Sequence, residues 1–160
     1  MQKKQLKKYI TYSIIIVLIL LLQAIVYSDI SVDDLKKEYA NEHSKFTEID
    51  GMQVHYRDEG KGFPIVLVHG TASSLHTWDD WTKSLTKNYR IIRMDLPAFG
   101  ITGPNANADY SVKSYTNFLY QFLTKLKVDK FHLAGNSLGG NIAWNYAAEY
   151  PNKVEKLILV

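Results

Sequence analysis

The sequence predicts an α/β protein: a mostly parallel sheet with flanking helices, led by an antiparallel hairpin and preceded by an N-terminal transmembrane helix. Three patterns predict it. From Ile65 onward, short apolar runs alternate with amphipathic stretches, the signature of parallel strands joined by helical crossovers. Asp50-Gly51 separates two strand-like runs and is a strong two-residue hairpin turn. Tyr9 to Ser28 contains no charged side chain.

That apolar stretch is long enough to matter. A helix of about twenty residues rises about 30 Å, the thickness of a bilayer hydrocarbon core. Lys3, Lys4, Lys7 and Lys8 precede it and Asp29, Asp33 and Asp34 follow, so the positive-inside rule leaves the N-terminus cytoplasmic and the body extracytoplasmic. Tyr9, Tyr12 and Tyr27 suit the two interfaces. A cleaved signal peptide, which would leave the body secreted, is the competing reading. Val26-Tyr27-Ser28 is a poor small-x-small site for it, and the stretch exceeds the usual apolar core of about 7 to 15 residues. Residues 29–45 read as a polar juxtamembrane linker with a short helix, capped by Ser31 and carrying Val32, Leu35 and Tyr39 near one face.

The body then follows in order. Phe46 to Ile49 and Met52 to Arg57 form the hairpin, and Ile65 to Val68 is a strand buried on both faces, ending at His69-Gly70. Trp78, Trp81 and Leu85 recur at helical spacing, as core aromatics under a first helix, with Asp79 and Asp80 as its N-terminal charges. Tyr89 to Met94 is a strand that Pro97 and Gly100 stop. Tyr115, Phe118, Leu119, Phe122, Leu123 and Leu126 mark the apolar face of a four-turn helix. Phe131 to Ala134 is a strand, Gly139 to Tyr150 a helix, and Val154 to Val160 an interior strand. The chain divides into a basic flank and anchor over 1–28, a linker over 29–45 and an α/β body over 46–160.

Composition excludes several classes. Four of the nineteen basic residues lie in the first eight positions, and the other fifteen face sixteen acidic ones. A body so close to neutral argues against nucleic-acid binding, which needs a basic face. Apolar residues make up 46% and charged residues 22%, which excludes a disordered chain. Without cysteine there is no disulfide, thiol nucleophile or thiolate metal site. No H-E-x-x-H, P-loop or G-x-G-x-x-G pattern occurs, so neither a metal nor a nucleotide cofactor is predicted.

The string that carries chemistry is Gly135-Asn136-Ser137-Leu138-Gly139-Gly140, between an apolar strand and a helix. It matches G-x-S-x-G, the nucleophile elbow, in which a sharp strand-to-helix turn lifts a serine above the sheet. Gly135 and Gly139 are needed because strand and helix approach too closely there for side chains. The helix N-terminus favours developing negative charge. Acyl transfer needs two N–H donors aimed at the oxyanion. Leu138 supplies one and Thr71, after His69-Gly70, supplies the other.

On these motifs, with the Asp95-x-Pro97-x-x-Gly100 loop and the order of elements, residues 46–160 resemble the N-terminal part of the α/β-hydrolase fold family. That family usually has Gly where Ala98 stands. Serine at 137 separates the chain from the family's dehalogenase and epoxide-hydrolase branches. The resemblance leaves esterases, lipases and carbon–carbon bond hydrolases, the Asn136-Ser137-x-Gly139-Gly140 variant being similar to some of the last. It implies a small-molecule acyl or lipid-like substrate and no cofactor.

The resemblance also implies an acid and then a histidine after the serine. Only Glu149 and Glu155 follow Ser137 as carboxylates, and no histidine does. His132 lies on the strand before the elbow, aimed away from it, as a satisfied structural residue. His69 takes a hydrogen-bonding role beneath the oxyanion hole. His43, His55 and His76 read as surface or capping residues, and Asp95 as a loop carboxylate holding backbone N–H groups. The expectation is therefore the N-terminal part of a longer serine hydrolase, inactive by itself. A non-catalytic, membrane-tethered binding module of the same fold is the alternative.

Overall fold

The computed structural model describes residues 2–26 and 30–160. Tyr27, Ser28 and Asp29, assigned above to the membrane interface, the cleavage site and the acidic flank, lie outside the described residues. The chain divides into two compact units, one up to Asp34 and one over Leu35–Val160.

In the first unit, α1 runs over Gln2–Val26. Its segment Lys3–Gln23 is long and apolar enough to cross a membrane, and none of its side chains is buried. A helix apolar on every side has no face to give to water. The linker helix α2 (Val32–Tyr39) follows. Ser31 caps it, its Oγ accepting the Asp34 N–H at 3.2 Å.

The body is a six-stranded sheet in the order β1 (Ser44–Ile49), β2 (Met52–Gly60), β4 (Tyr89–Met94), β3 (Phe63–Val68), β5 (Phe131–Gly135), β6 (Val154–Leu159). β1–β2 and β2–β4 are antiparallel and the remaining pairs parallel. Asp50 and Gly51 both take positive φ, 48° and 78°, as the tightest hairpin turn requires. β6 is the last strand of the described sheet on that side, and Leu157 and Leu159 are exposed.

Alternation along β3 feeds two cores. Val66 and Val68 join the larger, under α4 (Val112–Lys125) and α5 (Leu138–Glu149), where Phe118, Leu119, Phe122 and Tyr146 are buried. Burying one such aromatic contributes about 2–3 kcal/mol. Ile65 and Leu67 join the smaller, with Ile91 and Trp78, beneath a 3-10 turn (Leu75–Trp78) and α3 (Asp79–Leu85). Trp81 is not a core residue: it is 38% exposed and packs edge-on against Trp78, centroids 5.0 Å apart. The change from three to 3.6 residues per turn at Asp79 turns Trp81 off the buried face.

The same face carries a buried charge cluster where β2 meets β4. Arg57 and Arg93 are register partners, an arrangement that like charges disfavour. Arg93 donates to Glu59 at 2.9 Å, to the Leu75 carbonyl at 3.2 Å and to Asp79. Arg57 donates to the Tyr39 carbonyl at 3.2 Å, with Asp79 3.8 Å away. Anions lent by the first turn of α3 and the end of β2 thus neutralise the pair.

Candidate active site

The elbow is set by backbone. β5 ends at Gly135 and α5 begins at Leu138, leaving Asn136 and Ser137 to reverse the chain. Ser137 turns it with φ 52° and ψ −115°, a left-handed conformation that costs a residue with a side chain roughly 1–3 kcal/mol. A Cβ at Gly135 would strike the Gly139 carbonyl, and one at Gly139 the carbonyls of Val68 and His69. Gly140 is also close, a Cβ there lying 3.2 Å from the Gly135 oxygen. Ser137 is exposed while Gly135, Gly139 and Gly140 are buried.

The loop after β3 meets this turn. A Cβ on Gly70 would lie 3.2 Å from Ser137 Cβ and 2.9 Å from Asn136 Oδ1, so only glycine lets the two segments close. The Asn136 N–H donates to the Val68 carbonyl at 3.1 Å, tying the elbow to the end of β3. The Ser137 N–H donates to the Val160 carbonyl at 3.2 Å and is occupied. Leu138 is the first helical residue, whose N–H has no intrahelical acceptor. Thr71 is exposed in the turn that follows Gly70.

His69 holds that turn. Its Nε2 accepts the Leu96 N–H at 3.0 Å, which leaves the proton on Nδ1 to donate to the Gly70 carbonyl at 2.8 Å. The Gly70 carbonyl and the Thr71 N–H belong to one peptide plane, so this bond fixes both. Burial lowers the His69 pKa, and with both nitrogens engaged the ring has no lone pair for a base.

The other histidines divide. His43 is exposed beside Glu42. His76 lies 3.1 Å from Asp79, with its backbone N–H on the Ser74 hydroxyl. His132 packs tilted against Phe63, centroids 4.7 Å apart, and is not satisfied, since its Nδ1 is buried without a hydrogen-bond partner among the described residues. His55 is neither a surface nor a capping residue. It is fully buried, with Nδ1 2.8 Å from Asp95 Oδ2 and Nε2 2.8 Å from Ser44 Oγ. On β2 the sequence alternates Gln53, His55 and Arg57 with Met52, Val54 and Tyr56, which reads as a solvent face. Here the Leu75–Trp78 turn and Tyr39 lie against that face.

Asp95 accepts the N–H groups of Leu75 and Ile101 at 2.8 and 3.0 Å in addition to His55. Burial alone would raise its carboxyl, but these hydrogen bonds outweigh burial and hold it below the ordinary carboxylate range. Gly100 lies against the carboxylate with no room for a Cβ. Ala98 takes φ 68°, the left-handed conformation that glycine tolerates best. Among the described residues, no group of three or more His, Asp or Glu is placed to hold a metal ion.

A family model described as the alpha/beta hydrolase fold matches residues 64–160. The chain belongs to the α/β-hydrolase fold family. This α/β-hydrolase-fold chain is 33% identical over 113 residues to 2-hydroxy-6-oxo-2,4-heptadienoate hydrolase of Pseudomonas putida, a match covering 69% of the chain and 41% of that protein. It is 31% identical over 121 residues to monoacylglycerol lipase abhd6-A of Xenopus laevis, covering 72% and 36%. A crystal structure of a membrane phospholipase A superposes with a TM-score of 0.71 at 27% identity, covering 99% of this chain and 51% of that one. The α/β-hydrolase-fold chain thus spans about 40% of the length of the curated relatives it matches.

Proposed function

We propose that the chain is the nucleophile-bearing part of a membrane-anchored serine hydrolase that cleaves an ester or related acyl substrate, lipid-like in character. Ser137 attacks the acyl carbonyl to form an acyl-enzyme, and the N–H groups of Thr71 and Leu138 hold the oxyanion. The observation that carries this reading is the positive φ of Ser137 at a turn closed against Gly70, strain of the kind stored at functional sites. The monoacylglycerol lipase and phospholipase similarities support the lipid-like class.

In this reading α1 is a signal-anchor with its N-terminus cytoplasmic, residues 29–45 tether the body, and residues 46–160 form the N-terminal part of the hydrolase domain. No histidine follows Ser137 within these residues, so the acid and the base come from sequence beyond them. No cofactor is required. A membrane-tethered binding module of the same fold is the second reading.

The test is the protein carrying the remaining hydrolase domain, assayed on a short-chain aryl ester. Ser137→Ala is expected to lower turnover at least about 10⁴-fold, as loss of an acyl-transfer nucleophile does. Unchanged turnover in that variant rejects Ser137 as nucleophile, and absence of turnover in the parent selects the binding module. Hydrolysis by the 160 residues alone, lost on Ser137→Ala, rejects the external base.

A further inference from the structure

Ser137 is not the serine with a histidine beside it. Ser44 begins β1, and its Oγ lies 2.8 Å from His55 Nε2, while His55 Nδ1 lies 2.8 Å from Asp95 Oδ2. Proton positions follow from the partners. Asp95 accepts two backbone N–H groups and remains a carboxylate, so the His55 proton sits on Nδ1 and Nε2 presents a lone pair. The Ser44 O–H is then the donor to Nε2. Its oxygen accepts the Asn41 N–H at 3.1 Å, a bond that also supports charge developing on Oγ. This is the order of groups that makes a serine nucleophilic: hydroxyl, imidazole, orienting carboxylate.

Two further features belong to the same place. Arg57 is the register partner of Ser44, so the two side chains leave the same face of β1–β2 about 5 Å apart. Its Nε–H is buried without a hydrogen-bond partner among the described residues. His55 and Asp95 also line a cavity of about 230 Å³ with Leu35, Tyr39 and Ile101. Ser44 itself is half-buried and lies outside the lining of that cavity.

We propose that Ser44 is a second nucleophile, a site of covalent modification by activated acyl or phosphonyl donors, with His55 as its base, Asp95 as the group orienting that base and Arg57 Nε–H as a donor to the oxyanion. With a fluorophosphonate, the Ser44 O–P bond forms, the P–F bond breaks, fluoride leaves and the hydroxyl proton passes to His55 Nε2. With an activated ester, a new ester forms on Ser44 and the leaving alkoxide takes the proton back from Nε2. Ser137 has no part in this, so its failure leaves the reading above intact.

The experiment uses the 160-residue chain in detergent, treated with a fluorophosphonate probe, digested and mapped by peptide mass spectrometry. Label is expected on Ser44, unchanged by Ser137→Ala, abolished by Ser44→Ala and slowed at least about tenfold by His55→Gln. His55 is a core residue, so a second arm leaves it in place. The chain has no cysteine, and Ser44→Cys installs a single thiol next to the imidazole. At neutral pH its alkylation by iodoacetamide is expected to run at least about tenfold faster than that of glutathione, because a paired imidazole lowers a thiol pKa. Absence of label from Ser44 in the folded chain, label confined to Ser137, or a thiol no faster than glutathione overturns the proposal.

Discussion

Two serines in this body are held in contrasting ways, one lifted into the open by backbone geometry and the other joined to a chain of side-chain hydrogen bonds. Ser137 is exposed and strained at a turn with φ 52°, and no hydrogen bond to its hydroxyl is seen among the described residues. Ser44 sits in ordinary strand geometry, half-buried, at the head of a chain that runs through His55 to Asp95. Close packing of three backbone segments builds the first. Side-chain pairing across 11 and 40 residues of sequence builds the second. The elbow depends on glycines having nothing to place between strand and helix, whereas the relay depends on hydrogen bonds at both nitrogens of the His55 ring.

Four measurements break or sharpen that contrast, taken from the largest expected effect. Asp95→Ala is expected to cost about 4 kcal/mol in urea denaturation, since it strands a buried imidazole and two backbone N–H groups at once. A cost under about 1 kcal/mol would mean that the relay is not structurally coupled. Gly139→Ala is expected to cost about 3 kcal/mol in the same assay, because its Cβ meets the Val68 and His69 carbonyls, which cannot move independently of the sheet. Ala98→Gly is expected to stabilise the body by about 1 kcal/mol by relieving a left-handed alanine at φ 68°. A loss of stability there would show that the Asp95 loop gains nothing from a freer backbone.

The smallest expected effect is one of acidity. Burial lowers the His69 pKa below its unfolded value of about 6.5, so the native ring resists a proton that the unfolded ring accepts. Stability from this group is complete above that value and declines as pH falls through it. Asp95, held below its ordinary range, contributes stability that is lost at still lower pH, beneath about 4. Urea midpoints are expected to fall between neutral pH and pH ~5.5, and His69→Gln is expected to flatten that first decline. A midpoint rising over this interval would reverse the sign assigned to His69.

The elbow half of this contrast was readable from residues and the relay half was not. Gly135 to Gly140 lies in one contiguous string, its strand and helix are local, and Asp50-Gly51 marks its own turn. Tyr89 to Met94 runs the length expected of it. His55 was hidden because a polar residue alternating with apolar ones looks solvent-facing unless the partner that covers it is known. That partner, Asp95, lies on another strand's exit loop. Trp81 was obscured for a related reason, a change of helical pitch that spacing alone does not reveal.

The charge cluster between β2 and β4 also governs how those strands are allowed to align. Sliding β2 by one residue would reverse every side chain, sending Arg57, His55 and Glu59 into the aliphatic layer beneath α4 and bringing Tyr56 and Val54 out against Asp79 and Arg93. Each misplaced ion would be unpaired in hydrocarbon, so the neighbouring registers are excluded by desolvation. β2, antiparallel to both of its neighbours, is thereby keyed to a single alignment, and the loop leaving β4 is delivered to one fixed height above the sheet.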